Sequence, residues 1–164
     1  MDAADFDRWY EASYPRIVGQ LTALLGSRAE AQDCVQDAFI RAWDHRLHLE
    51  AQASMDAWVR TTAYRLGVSR WRRFRRGLEL GYRALPDPAA PAELSDVRAD
   101  LVAALRKLPE GQRQVVVLHY LADRTIAQIA TEIGVAEGTV KARLHHARHA
   151  LADLLTDTTT GAAT

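Results

Sequence analysis

A chain of 164 residues with 48% hydrophobic content can form one domain or two small ones, and a formal net charge of zero gives no whole-chain signal for nucleic acid. The charge is unevenly placed: residues 1–56 carry ten acidic side chains against five arginines, and residues 57–78 carry seven arginines and no acid. The single cysteine, Cys34, excludes an internal disulfide and fits a reducing compartment. Asp2, Asp5, Asp7 and Arg8 interrupt any apolar N-terminal run of signal-peptide type, and no segment is long enough to span a bilayer. A cytoplasmic protein without membrane insertion is expected.

In chain order, the first predicted element is an amphipathic helix through Phe6, Trp9, Tyr10, Ile17, Leu21 and Leu24, ended by Gly26 and Ser27. Ser27 is placed to cap the next helix, with Glu30 three residues on completing a capping box. At about 100° per residue, Cys34, Val35, Ala38, Phe39 and Ala42 cluster on one face of that second helix, with Trp43 at its edge. Cys34 on this face reads as a small buried hydrophobe rather than a reactive thiol. Ile40 points the opposite way, among Asp33, Gln36, Asp37 and Asp44. An isolated exposed aliphatic is ordinary. One set in an acidic, amide-rich strip suits a protein-docking surface with an apolar centre and a polar rim.

A third helix is predicted from Met55 through Arg76, capped by Ser54 and anchored by Trp58, Val59, Ala63, Leu66 and either Val68 or Trp71. Arg60, Arg65, Arg70, Arg72, Arg73, Arg75 and Arg76 fall here, interleaved with Trp58, Tyr64, Trp71 and Phe74. A charge run is usually a solvated face. Arginine with aromatics also fits phosphate binding and base stacking, which suits an unpaired strand. Pro86, Pro88 and Pro91 then break every helical pattern between Gly81 and Asp96.

Beyond the break, Thr125 to Arg148 reads as a helix-turn-helix. Ile126, Ile129, Ala130 and Ile133 give the first helix one apolar face, Gly134 stands at its C-terminus, and Val140 and Leu144 face inward on the second. Glu137, Thr139, Lys141, Arg143 and His145 are left outward, a polar and largely basic edge suited to the major groove. The final residues TDTTTGAAT read as disordered. The fold class expected is all-α: two small helical domains, 4–77 and 97–155, joined by a Pro-containing linker over 78–96, with a disordered tail over 156–164.

Two rival readings arise from the residues. Response-regulator output domains carry a similar helix-turn-helix, so a stand-alone duplex-binding regulator is one. It leaves the Ile40 strip and the Arg-aromatic helix without a purpose. The other is a metal enzyme built on His145, His146 and His149, of which the first and last stand at i, i+4. No HExxH pattern or nearby carboxylate pair accompanies them, and no nucleophile-base set or phosphate-cradling glycine loop occurs elsewhere. Neither catalysis nor a cofactor is expected.

Three motifs, in this order and spacing, resemble the sigma factors of bacterial RNA polymerase, specifically the short extracytoplasmic-function group. AQDCVQDAFIRAW at 31–43 is similar to the family's polymerase-binding helix; LRKLPEGQRQVVVLHYL at 105–121 with AEGTVKARLHHAR at 136–148 is similar to its domain that reads the promoter −35 element. The resemblance covers most of the chain. It implies that Asp33, Gln36, Asp37, Phe39, Ile40, Arg41 and Trp43 form or support a surface docking on the clamp helices of the polymerase largest subunit. The flap region of the polymerase is a second implied contact. Trp58, Arg60, Arg65, Arg70, Trp71, Arg72 and Arg73, with the loop before them, would capture the melted −10 element and a flipped base. Glu137, Thr139, Lys141, Arg143, His145, His146 and Arg148 would meet the −35 duplex. The family often has an anti-sigma factor, which could clasp a two-domain chain with a flexible linker. Arg65 and Ser69 stand where the family often has Asn and Asp, Ala142 replaces a common Ser, and His146 a common Arg, so promoter sequence does not carry over.

Overall fold

The computed structural model describes residues 1–49, 54–79 and 96–161, with side chains over 1–49, 54–77 and 99–156. Among the described residues there is no strand, in keeping with the all-α expectation. The chain divides into two compact units, Met1–Ala92 and Glu93–Thr164. The proline-bearing stretch read as a linker lies outside the described residues.

In the first unit, α1 (Ala3–Leu25) starts where the Asp2 carboxylate accepts the Asp5 N–H at 2.8 Å, and ends at Gly26, whose φ of 78° closes the helix. α2 (Arg28–Asp44) follows, with the Ser27 hydroxyl accepting the Glu30 N–H at 3.3 Å. Only this half of the expected capping box forms, because the Glu30 carboxylate turns instead toward Cys34 and Arg70. A single turn, α3 (Arg46–Leu49), precedes α4 (Met55–Glu79), where the Ser54 hydroxyl accepts the Ala57 N–H at 3.1 Å.

Small residues on α2 (Ala31, Cys34, Ala38 and Ala42, all fully buried) let α1 and α4 pack closely on it, against Ile17, Leu21, Val59 and Ala63. At one end the packing is aromatic: Phe39 lies within 4.9–5.0 Å, ring centre to ring centre, of Trp9 and Tyr10. Phe6 meets Trp43 at 5.0 Å. The first turn of α4 is tied to α1 by Asp56, whose carboxylate accepts from Trp9 Nε1 (2.8 Å), Ser13 Oγ (2.8 Å) and Arg16 (2.6 Å).

In the second unit, α5 (Asp96–Lys107) and α6 (Glu110–Val116) lead through a π-helical turn, Val117–Leu121, to α7 (Ile126–Ile133) and α8 (Glu137–Gly161). Thr125 and Gln128 form a complete capping box at the start of α7, at 3.2 and 3.0 Å, and Gly134 ends it with a φ of 70°. Ile129, Val140, Leu144 and Ala147 are buried with Leu105, Val115 and Val117, so the two helices pack as the sequence predicts. α8 outruns its expected end. It continues through Gly161 rather than giving way to a disordered tail at 156, since neither Pro nor Gly interrupts it earlier and the Thr156 hydroxyl bonds back to the Ala152 carbonyl at 2.7 Å.

Candidate polymerase-docking and nucleic-acid interfaces

On α2, the outward strip is as the sequence predicts. Asp33, Gln36, Arg41 and Asp44 are exposed, and Ile40 stands 58% exposed among them. Asp37 is half-buried because it leans toward α4. Phe39 is 2% exposed and cannot touch a partner, so of the surface expected there it is the floor. Trp43 is half-buried between Phe6 and the Arg46 guanidinium, which lies 4.0 Å over its ring. Leu47, in α3, is a further exposed apolar side chain of this unit, 70% open. Sequence reading passed over it, because the short turn α3 carries no periodic signal.

Beneath the strip, Cys34 is fully buried, and its thiol donates toward Glu30 Oε1 at 3.5 Å. Burial first, and then the adjacent Glu30 carboxylate, pushes this thiol up to about 12. It is a neutral packing residue.

α4 sorts its arginines by helical phase. Arg65, Arg72 and Arg73 are exposed as expected of a strand-binding face. Arg60 is corrected: it is 4% exposed and donates to Gln20 Oε1 at 3.0 Å, on the same inward side as Val59 and Ala63. It is a core residue, unavailable to DNA. Arg70 is also engaged within the protein, by Asp37 and Glu30 of α2. Trp71 is 56% exposed rather than an inward anchor, and the Arg75 guanidinium sits 4.8 Å from its ring, leaving a stacking platform at the surface. Trp58 is half-buried beside His45. These two line a cavity of about 350 Å³ with Arg41, Thr62, Arg65 and Leu66, so Arg41 lies between the α2 strip and the exposed Arg65 of α4. The loop before α4, expected to help capture the −10 strand, falls on residues 50–53, outside the described residues.

On α8, Glu137, Lys141, His145, His146 and Arg148 are exposed, and Thr139 is half-buried. Arg143 departs from the expected outward row. It is half-buried with its guanidinium laid over α6 at Gly111, where a Cβ would come within 3.0 Å of Cζ. Its phase sets it beside the inward Val140 and Leu144. His149, not assigned to the duplex-facing set, is exposed there, its ring 4.6 Å from that of His145. Among the described residues, no group of three metal-ligating side chains is placed to hold an ion, and no helix is long and apolar enough to cross a membrane.

Residues 9–77 match the family Sigma-70 region 2, and residues 98–151 match Sigma-70, region 4. The extracytoplasmic-function RNA polymerase sigma factor SigL of Mycobacterium tuberculosis is 35% identical over 134 residues, which cover 78% of this chain and 76% of that protein. The chain belongs to the extracytoplasmic-function group of the sigma-70 family. A second such sigma factor, RpoE of Cereibacter sphaeroides, is 29% identical over 149 residues, 87% of this chain and 82% of its own. The solved sigma factor RpoE of Bartonella quintana, in complex with the anti-sigma factor NepR, superposes with a TM-score of 0.75 at 26% identity, covering 93% of this chain and 97% of that one. CnrH, solved with the cytosolic domain of CnrY, shares the fold with a TM-score of 0.67 at 24% identity, over 95% and 90% of the two chains. The α2 strip and α4 of this sigma factor lie within its region 2, and α7 and α8 within its region 4, apart from the ends of α4 and α8.

Proposed function

We propose that this sigma factor directs core RNA polymerase to its promoters by three surfaces. The α2 strip centred on Ile40 docks on the clamp helices of the largest subunit, with the flap region as a second polymerase contact. The exposed part of α4, Arg65, Trp71, Arg72 and Arg73, takes the melted −10 strand. The start of α8 takes the −35 duplex. It acts by binding, not as an enzyme, and works in the cytoplasm where polymerase works. The observation that carries this reading is the exposed Ile40 in its acidic strip, in a chain that also holds a helix-turn-helix. A stand-alone regulator has no use for that strip. The anti-sigma factor NepR bound to the solved RpoE of Bartonella quintana supports the same class of partner here.

The chemistry divides between strand types. Arg72 and Arg73 attract phosphate without regard to sequence, and the exposed Trp71 ring offers a face on which an unpaired base stacks. A closed duplex hides those base faces, so binding on α4 favours the opened strand. The test is run-off transcription with core polymerase on promoter fragments. Start sites that require this protein are expected; duplex binding with no stimulated transcript would favour the stand-alone regulator.

A further inference from the structure

Arg70 belongs to the basic helix α4, yet its guanidinium is held by the acidic helix α2. Nη2 donates to Asp37 Oδ2 at 2.5 Å, and Nη1 lies 3.5 Å from Glu30 Oε1. All three side chains are partly open to solvent, at 35% for Arg70, 45% for Asp37 and 38% for Glu30. The contact is therefore a surface clamp that other groups can reach and replace.

The local charge decides what this clamp does to a nucleic acid. One guanidinium between two carboxylates leaves a net negative charge, so a phosphate approaching Arg70 meets no attraction. The same Asp37 lies in the strip with Asp33, Asp44 and Ile40, whose charge suits a cationic surface on the polymerase. A cationic side chain that engages Asp37 removes one of the two carboxylates holding Arg70. The two binding events thus draw on one ion pair.

We propose that Arg70 is a positioning residue that couples polymerase docking to capture of the −10 strand. In the free protein Asp37 and Glu30 keep its guanidinium from DNA, and engagement of Asp37 by the polymerase releases it to a phosphate of the melted strand. This rests on the docking and strand-binding roles proposed above. It gives the free sigma factor a reason to bind promoter strands poorly and the holoenzyme a reason to bind them well.

The experiment is fluorescence anisotropy of the full-length protein with a labelled single-stranded oligonucleotide of non-template −10 sequence, with and without core polymerase, at low salt. Without polymerase, Asp37→Asn is expected to raise affinity about fivefold, the upper end of what a partly exposed ion pair is worth. Glu30→Gln, farther from the guanidinium, is expected to give about twofold, and it stands in should Asp37→Asn fail to fold. Asp44→Asn removes the same charge from the same helix without touching Arg70 and sets the background. The deciding comparison places Asp37→Asn in an Arg70→Ala protein. The gain is expected to fall there to that of Asp44→Asn, whereas a general loss of negative charge would give the same gain in both backgrounds. Arg70→Ala alone is expected not to raise the free protein's affinity, since it leaves Asp37 and Glu30 without their cation, and to weaken strand capture by the holoenzyme, with Arg70→Lys restoring part of it. An Asp37→Asn gain no larger than that of Asp44→Asn, or one that persists without Arg70, overturns the coupling. Run-off transcription by the wild-type holoenzyme reports on the sigma role separately, so the two ideas fail independently.

Discussion

Arg60 lies on the inner side of α4, 4% exposed, with its guanidinium bonded to Gln20 of α1. A count of arginines places it with the DNA-binding set; its phase beside Val59 and Ala63 places it in the core. The phase is legible in the sequence, but the partner is not, because Gln20 is brought near only by the packing of α1 on α4. Arg60→Ala should cost about 2 kcal/mol, since it removes a buried guanidinium together with its bond to Gln20, read by urea unfolding. Arg65→Ala should change stability by less than about 0.5 kcal/mol and weaken strand binding instead. Equal stability losses for the two would place Arg60 on the surface. Cys34 is the opposite case, legible from periodicity alone because Ala31, Val35, Ala38 and Ala42 mark the buried face of α2 on which it falls. Its thiol, raised to about 12 by burial and then by Glu30, should resist iodoacetamide at pH 8 in the folded protein. The sign of its pH effect follows. Stability is fully present below the ordinary thiol value of 9.0 and declines as pH rises toward about 12, because only the unfolded thiol releases its proton in that window. The Tyr14 hydroxyl, raised by burial and then by Tyr10, adds to the same decline. Cys34→Ala should therefore flatten the alkaline loss in part, as measured by unfolding at a series of pH values; an unchanged slope would show the thiol ionising equally in both states.

Helices with side-chain caps were readable because caps are local. Ser27 and Ser54 accept their expected N–H bonds, and Gly134 ends α7 where the motif puts it. The single turn α3 and the π-helical turn Val117–Leu121 were not readable, since elements of four or five residues show no period. Nor was the end of α8, where composition suggested disorder but no residue before Gly161 breaks the helix. The exposed strip on α2, proposed above to dock, shows what a helix can reveal when its two faces differ sharply. Phe39 goes to the floor and Ile40 to the surface, one residue apart, because a step of 100° separates them. Ile40→Asp should accordingly leave the unfolding curve almost unmoved, as its side chain packs on little of its own protein. Its binding to core polymerase should weaken by about 2 kcal/mol, or some thirtyfold, the loss expected of an interface anchor. Affinity for core is the measurement, and a folded mutant that binds as tightly as wild type would remove α2 from the docking role.

At the scale of the whole chain, zero net charge conceals two units for which separate tasks are proposed, and that division of labour in promoter reading can be tested unit by unit. On α8 the first two turns should approach base edges, and later residues the backbone. Lys141 is exposed in that early stretch, whereas Arg143 is half-buried with its guanidinium over Gly111. The sequence places both on the outward edge, because nothing local tells that α6 passes beneath Arg143. The structure favours Lys141 as the reader of guanine O6 or N7, worth about 1–3 kcal/mol of discrimination. Arg148, two turns further on and exposed, suits phosphate. Holoenzymes carrying each substitution, transcribing from a library randomised at both promoter elements, separate these roles. Lys141→Ala should relax preference at one or two adjacent −35 positions and leave the −10 preference intact, since that preference belongs to the other unit. Arg143→Ala should alter −35 preference less than Lys141→Ala does. Arg148→Ala should lower output from all −35 sequences alike and reduce the salt slope of binding by about one. A Lys141→Ala holoenzyme with the wild-type −35 preference would take this residue out of base reading, and a shift in its −10 preference would mean that the two units do not read independently.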